Sequence, residues 1–151
     1  MFLTQTPLKI RVQAKNKEFI PTYATDGAAG CDVRADIESS IILQPNAFVK
    51  IPTGLKFEIP HGFEIQVRPR SGLASKFGIS IVNSPGTIDS DFRGEVQVIL
   101  INHSDAPFIV EPGMRIAQLI VAPVLQAEFV LVEDLSETAR GAGGFGHTGI
   151  K

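Results

Sequence analysis

The chain has 151 residues, 44% of them hydrophobic, and a formal net charge of −2. That length and apolar content suit one domain with its own core, and the near-neutral charge argues against a nucleic-acid coat or a binder of anionic membranes, so any cations for an anionic ligand must be gathered locally. A single cysteine, Cys31, excludes an internal disulfide and a cysteine-built zinc cluster.

The opening MFLTQTPLKI lacks a basic region followed by a long apolar run, and no apolar stretch approaches ~18 residues, so a soluble, cytoplasmic protein is expected. Leu8–Ala14 alternates apolar and polar residues as a half-buried strand does. In ATDGAAGCDVRA (Ala24–Ala35), small residues lead into Asp32 at the start of a strand-like run. A lone carboxylate there either satisfies a strand end or holds a hydrated magnesium ion, which prefers to keep its waters. Ala47–Ile51 is the next strand. Leu55–Ile59 and Phe63–Arg68 alternate strictly around Pro60-His61-Gly62, so a hairpin is expected.

PRSGLASKFG (Pro69–Gly78) reads as a short helix over Ser71–Phe77 with Ser71 as its cap. Arg70 is then either a surface arginine or a bidentate grip on phosphate, with Gly72 allowing close approach. After a strand at Gly78–Val82 comes GTIDSDFRG (Gly86–Gly94). Its Asp89 and Asp91 either bond the local backbone, as loop aspartates commonly do, or orient a water and take its proton. In Glu95–Asn102, Val96, Val98 and Leu100 share one face while Ile99 and Ile101 make the other apolar too. Such a strand needs cover on both sides, which a second subunit can supply. Phe108–Val110 is a short strand. In PGMRIAQLIVAP (Pro112–Pro123), Gln118 interrupts the apolar strand Ile116–Val121 and either points outward or donates to a phosphate. Arg115 is placed to pair with an aspartate. Glu128–Val132 is the last expected strand and Ser136–Arg140 a possible helical turn. His61, His103 and His147 have no metal-ligand spacing, and the first two read as surface turn residues.

RGAGGFGHTG (Arg140–Gly149) contains both G-x-G-x-x-G and a Walker-like G-x-x-x-x-G-H-T. Each of those motifs needs a strand before it and a helix after it, which this strand-rich pattern does not offer. The tail is either a loose terminus or a segment closing over a nucleotide. Many short strands punctuated by 14 glycines and 10 prolines, with no internal repeat, predict an all-β sandwich, jelly roll or barrel.

Taken in order from Ala24 to Gly149, AGCDVRA, PRSGLA, GTIDSDFRGE, PGMRIAQL and RGAGGFGHTG resemble the five motifs of the trimeric dUTP pyrophosphatase (dUTPase) family. The resemblance implies an all-β, jelly-roll-like single domain over residues 1–139 and a flexible C-terminal arm over 140–151, assembled as a homotrimer whose active sites are shared between subunits. It implies hydrolysis of dUTP to dUMP and pyrophosphate with Mg²⁺, keeping uracil out of DNA and supplying dUMP for thymidylate synthesis, with no nucleic-acid or membrane partner. Asp89 matches the carboxylate that activates the attacking water, and Asp32 the residue that holds Mg²⁺ through water. Arg70, Ser71, Gly72 and Gln118 match phosphate binders. Asn83, the expected hairpin Ile79–Gly86, and Gly86, Thr87 and Ile88 match the uracil-reading element, and Phe92 an aromatic beneath the sugar. Arg140, Phe145, Gly146, His147 and Thr148 belong to the arm, Phe145 stacking on the base. Phe92 departs from the tyrosine of many relatives, and Cys31 sits where bulkier apolar residues or tyrosine are common. A related dCTP deaminase and a non-catalytic nucleotide-binding module are the competing readings. The first lacks a group suited to deamination at C4, and the second has no need of Asp89.

Overall fold

The computed structural model describes residues 8–147. Eleven strands and one short helix follow in the order β1 (Arg11–Ala14), β2 (Cys31–Arg34), β3 (Ile41–Leu43), β4 (Phe48–Pro52), β5 (Leu55–Glu58), β6 (Phe63–Arg68), α1 (Ser71–Phe77), β7 (Ile79–Ile81), β8 (Gly86–Ile88), β9 (Gln97–Asn102), β10 (Phe108–Val110) and β11 (Arg115–Pro123). A 3₁₀ turn at Lys17–Phe19, capped by Asn16, follows β1. The architecture is all-β and jelly-roll-like. Every pairing is antiparallel: β2-β11-β6-β8 form a four-stranded sheet, β4-β9-β7 a three-stranded one, and β1-β5 and β10-β3 two ribbons.

Alternation along each strand decides which side is buried. Val33, Ala117, Leu119, Ile65, Val67 and Ile88 point inward from the four-stranded sheet and join Ile51, Ile79, Ile81, Val98 and Leu100 of the three-stranded sheet in one continuous core. Two polar side chains are buried with them, and both are satisfied. Thr53 Oγ1 donates to the Val96 carbonyl at 2.7 Å. Asn102 Nδ2 donates to the carbonyls of Leu43 and Ala106, and its Oδ1 accepts from the Ser104 amide and hydroxyl, so one amide ties β9, β3 and the turn before β10. Asn102→Ala leaves several of those buried partners unpaired. It is expected to lower the unfolding free energy by about 2 kcal/mol or more, read as a shift of the urea midpoint at unchanged slope.

Several expectations change in the fold. Leu55–Ile59 and Phe63–Arg68 do form strands, but not a hairpin: β5 pairs with β1, while β6 pairs with β11 and β8. Pro60–Gly62 turns the chain from one sheet into another. Ile79–Gly86 is likewise an arch, its two strands lying in different sheets and its crest holding a cis Ser84-Pro85 bond. Glu128–Val132 has the expected alternation but no ladder, because nothing among the described residues lies alongside it. Ser136–Arg140 forms no helix. The short β3 and the glycine-led β8 went unforeseen.

β9 behaves as its two apolar faces require. Val96, Val98 and Leu100 are buried, whereas Ile99 and Ile101 are only half-covered, beside a cross-strand Phe48 that is 66% exposed and Val82 at 51%. Beyond β11 the chain runs exposed, with Leu125, Phe129 and Leu131 almost wholly in solvent.

Candidate active site

The expected site residues fall into three groups. The first lies on β2, β11 and the end of β6 in the four-stranded sheet. Register places Asp32 opposite Gln118 and Gln118 opposite Arg68, so the three share the outer, polar face. Arg70, just past the end of β6, reaches over β11: its Nε donates to Asp32 Oδ1 at 2.9 Å and its Nη1 to the Arg115 carbonyl at 3.1 Å. Arg115 Nη1 donates to Asp32 Oδ2 at 3.1 Å, the aspartate partner expected of it. One carboxylate therefore orients two guanidiniums, and the cluster keeps an excess positive charge that suits an anion.

Gln118 Nε2 donates to the Pro69 carbonyl at 2.9 Å, fixing the amide beside Arg70. Its Oε1 lies where Gly30 has no side chain: a Cβ there would stand 2.6 Å from it. Neither Gly30 nor the Pro69 carbonyl was singled out from sequence, although a glycine two residues before Asp32 was the available signal. Ser71 and Gly72 open α1. Ser71, expected to be the cap, is instead the first helical residue; Arg70 holds the cap position and no side chain bonds the helix end. Ser71 and Gly72, directly after Arg70, are exposed, while the Leu73 amide already donates to the Arg70 carbonyl. Among the described residues, nothing lies within 4 Å of the Cβ position of Gly72.

Cys31 precedes Asp32 on the opposite, inner face. Burial, and to a lesser degree the Asp32 charge, pushes its thiol up, while Sγ lies 3.7 Å from the Leu119 carbonyl. A thiol held protonated is a poor nucleophile, and Cys31 is a packing residue.

The second group lies on β8, an edge strand of the same sheet, and on the turn after it. Asn83, Gly86, Thr87, Ile88, Asp89 and Phe92 line one cleft of about 290 Å³. Asp89 also borders a second, polar cleft with His61, Glu64 and Asp91, so it stands on the ridge between them. The Asp89–Arg93 turn is rigid: the Phe92 amide donates to the Asp89 carbonyl at 3.2 Å, and Arg93 Nη1 donates to the carbonyls of Ser90 and Phe92. That role of Arg93 also went unforeseen. The third group is the tail. Arg140 Nε donates to the Gly143 carbonyl at 2.8 Å, Phe145 is fully exposed with φ 47°, and Gly146 and His147 are exposed. Thr148 lies outside the described residues. His61 is an exposed turn residue, as expected, and His103 is exposed just past β9 rather than in a turn.

Among the described residues, no side-chain hydrogen bond or ion pair links the three groups. β2 and β8 are the two edges of one sheet, with β11 and β6 between them. Three interstrand steps of about 4.8 Å and a register offset of two residues set Asp32 and Thr87 about 16 Å apart. No set of three or more His, Cys, Asp or Glu side chains fit to hold a metal occurs among the described residues, and no described helix is long and apolar enough to cross a membrane.

The family model described as dUTPase matches residues 16–149. A deoxyuridine 5'-triphosphate nucleotidohydrolase of Chlamydia pneumoniae is 64% identical over 131 residues, 86% of this chain and 90% of that protein. Among solved structures, a mutant of the Staphylococcus bacteriophage 80alpha dUTPase with dUpNHpp aligns with a TM-score of 0.80 at 24% identity, covering 94% of this chain and 99% of that one. A mutant dUTPase from phage phi11 of S. aureus, described for the coordination of a structural Mg(II) ion, aligns with a TM-score of 0.75 at 20% identity, covering 85% and 99%.

Proposed function

This chain belongs to the dUTPase family, and from that premise we propose that it hydrolyses dUTP to dUMP and pyrophosphate in sites completed between three copies of the chain. One observation carries the shared site: Asp89 continues β8 past the Ile88–Ile65 pair, level with Glu64 near the start of β6, whereas Arg70 lies six residues further along that same segment, about 20 Å away on strand rise. A water at Asp89 and a triphosphate on Arg70, Ser71, Gly72 and Gln118 meet only if a neighbouring protomer brings one group to the other. The half-covered apolar surface at Phe48, Val82, Ile99 and Ile101, with the bare Leu125, Phe129 and Leu131, supports association.

In this reading Asp89 takes a proton from water as the oxygen attacks the α-phosphorus. The bond from that phosphorus to the bridging oxygen breaks in line, and pyrophosphate leaves. The arginines, Ser71 and Gly72 neutralise and position the phosphates, which is most of what such a reaction asks of a protein. Asn83 and the backbone of Gly86, Thr87 and Ile88 read the uracil edge, the crowded arch rejecting a methyl at C5. Phe92 underlies the sugar. Arg140, Phe145, Gly146, His147 and Thr148 close over the nucleotide from the arm, residues 140–151, appended to a domain over 1–139.

Asp32 suits a water-mediated role toward Mg²⁺. Each of its oxygens already accepts from an arginine, yet a carboxylate has lone pairs left for metal-bound water. A hydrated cation riding on the triphosphate, which adds charge neutralisation there, needs no protein cage of its own. Cytoplasmic residence, and a role in keeping uracil out of DNA while supplying dUMP, follow from this activity.

Purified protein with Mg²⁺ is expected to release pyrophosphate from dUTP and far less from UTP, dTTP or dCTP, and to sediment as three chains. No release from dUTP, ammonia release from dCTP, or a fully active monomer would each refute the corresponding part.

A further inference from the structure

Resting on the reading of the chain as a dUTP hydrolase, we propose that Gly94 is a positioning residue for substrate selection. The absent side chain at 94 is the bed for the ring of Phe92 and sets how far that ring stands into the nucleoside cleft. A Cβ on Gly94 would lie 2.5 Å from Cζ and 2.8 Å from Cε2 of Phe92. Carbon atoms in contact prefer about 3.5–4.0 Å, so a single methyl group there must move something by about 1 Å.

What moves is decided by what is tied down. Gly94 does not share the left-handed φ of Gly54, Gly62 or Gly78, so alanine fits its backbone without strain. The turn before it is held by the Phe92 amide bond to Asp89 and by Arg93 across two carbonyls. The chain after it is held as Glu95 Oε1 accepts from the Gly54 amide at 2.8 Å and the Val96 amide donates to Leu55 at 2.9 Å. The ring is the free part: Phe92 is 44% exposed, on the wall of the cleft that Asn83, Thr87 and Asp89 also line. A methyl at 94 therefore leaves the fold alone and pushes the ring off its bed, changing its position on the wall of the cleft.

The experiment compares native chain and Gly94→Ala for dUTP and UTP, then repeats the substitution in a Phe92→Ala background. Since misplacement by about 1 Å costs up to 10²-fold, Gly94→Ala is expected to lower kcat/KM for dUTP about tenfold. The loss falls mainly on KM, narrows the preference over UTP, and leaves the melting temperature unchanged. Without the ring, the same substitution is expected to change nothing further. An unchanged dUTP preference in Gly94→Ala, or an equal loss in the Phe92→Ala background, overturns the proposal. A native chain inert toward dUTP instead overturns the functional reading on which it rests.

Discussion

Asp89→Asn is expected to lower kcat about 10²–10⁴-fold while dUTP still binds. The substitution keeps size and shape but removes the group that accepts the water's proton. Asp89 is exposed on the ridge between two clefts, and none of the hydrogen bonds around its turn uses its carboxylate. Its backbone carbonyl, which accepts from the Phe92 amide, survives the change. The turn should keep its shape, and the phosphate-binding side chains lie on β11 and past the far end of β6. Single-turnover measurements with dUTP, together with equilibrium binding of a non-hydrolysable analogue, separate the two effects. Near-native turnover would remove Asp89 from the role of base. Loss of binding in step with turnover would point to positioning instead.

Deleting residues 140–151 is expected to reduce turnover by about 10²-fold or more, the scale of losing a preorganised set of transition-state donors. The fold should survive. Within the described part of the arm, hydrogen bonds run only among residues 138–147: Gly141 to Thr138, Gly143 to Arg140, His147 to Gly144, and Arg140 Nε to Gly143. The buried core ends with β11, and Phe145 touches none of it. Melting temperature and sedimentation of the truncated chain should match the native values, with only activity falling. Loss of assembly would show that the arm holds the oligomer, and full activity would dismiss it from the site.

The outcome for individual elements follows from what alternation encodes. It records burial of one face, so β5, β6 and β9 were legible to within a few residues. It does not record which strand lies alongside, so the hairpin expected at Pro60-His61-Gly62 became a crossing between sheets. Glu128–Val132 illustrates the same limit: its pattern asks for a partner, and none of the described residues offers one. At the site, residue types and order were readable, including Arg115 as partner to an aspartate. The glycines that make room for Gln118 and Phe92 were not, since a missing side chain has meaning only when its neighbour in space is known.

By itself the sequence determined the class of fold, the positions that face the core, and the motif order that carries the family. These depend on local periodicity and on residue chemistry, which act along the chain. Only the tertiary structure decided that Asp32 locks both Arg70 and Arg115, and that Asp89 stands at the other end of the β6–β8 pair from Arg70. Those facts arise from pairings between segments dozens of residues apart, and such pairings are selected by the packing of the whole core rather than by any segment alone.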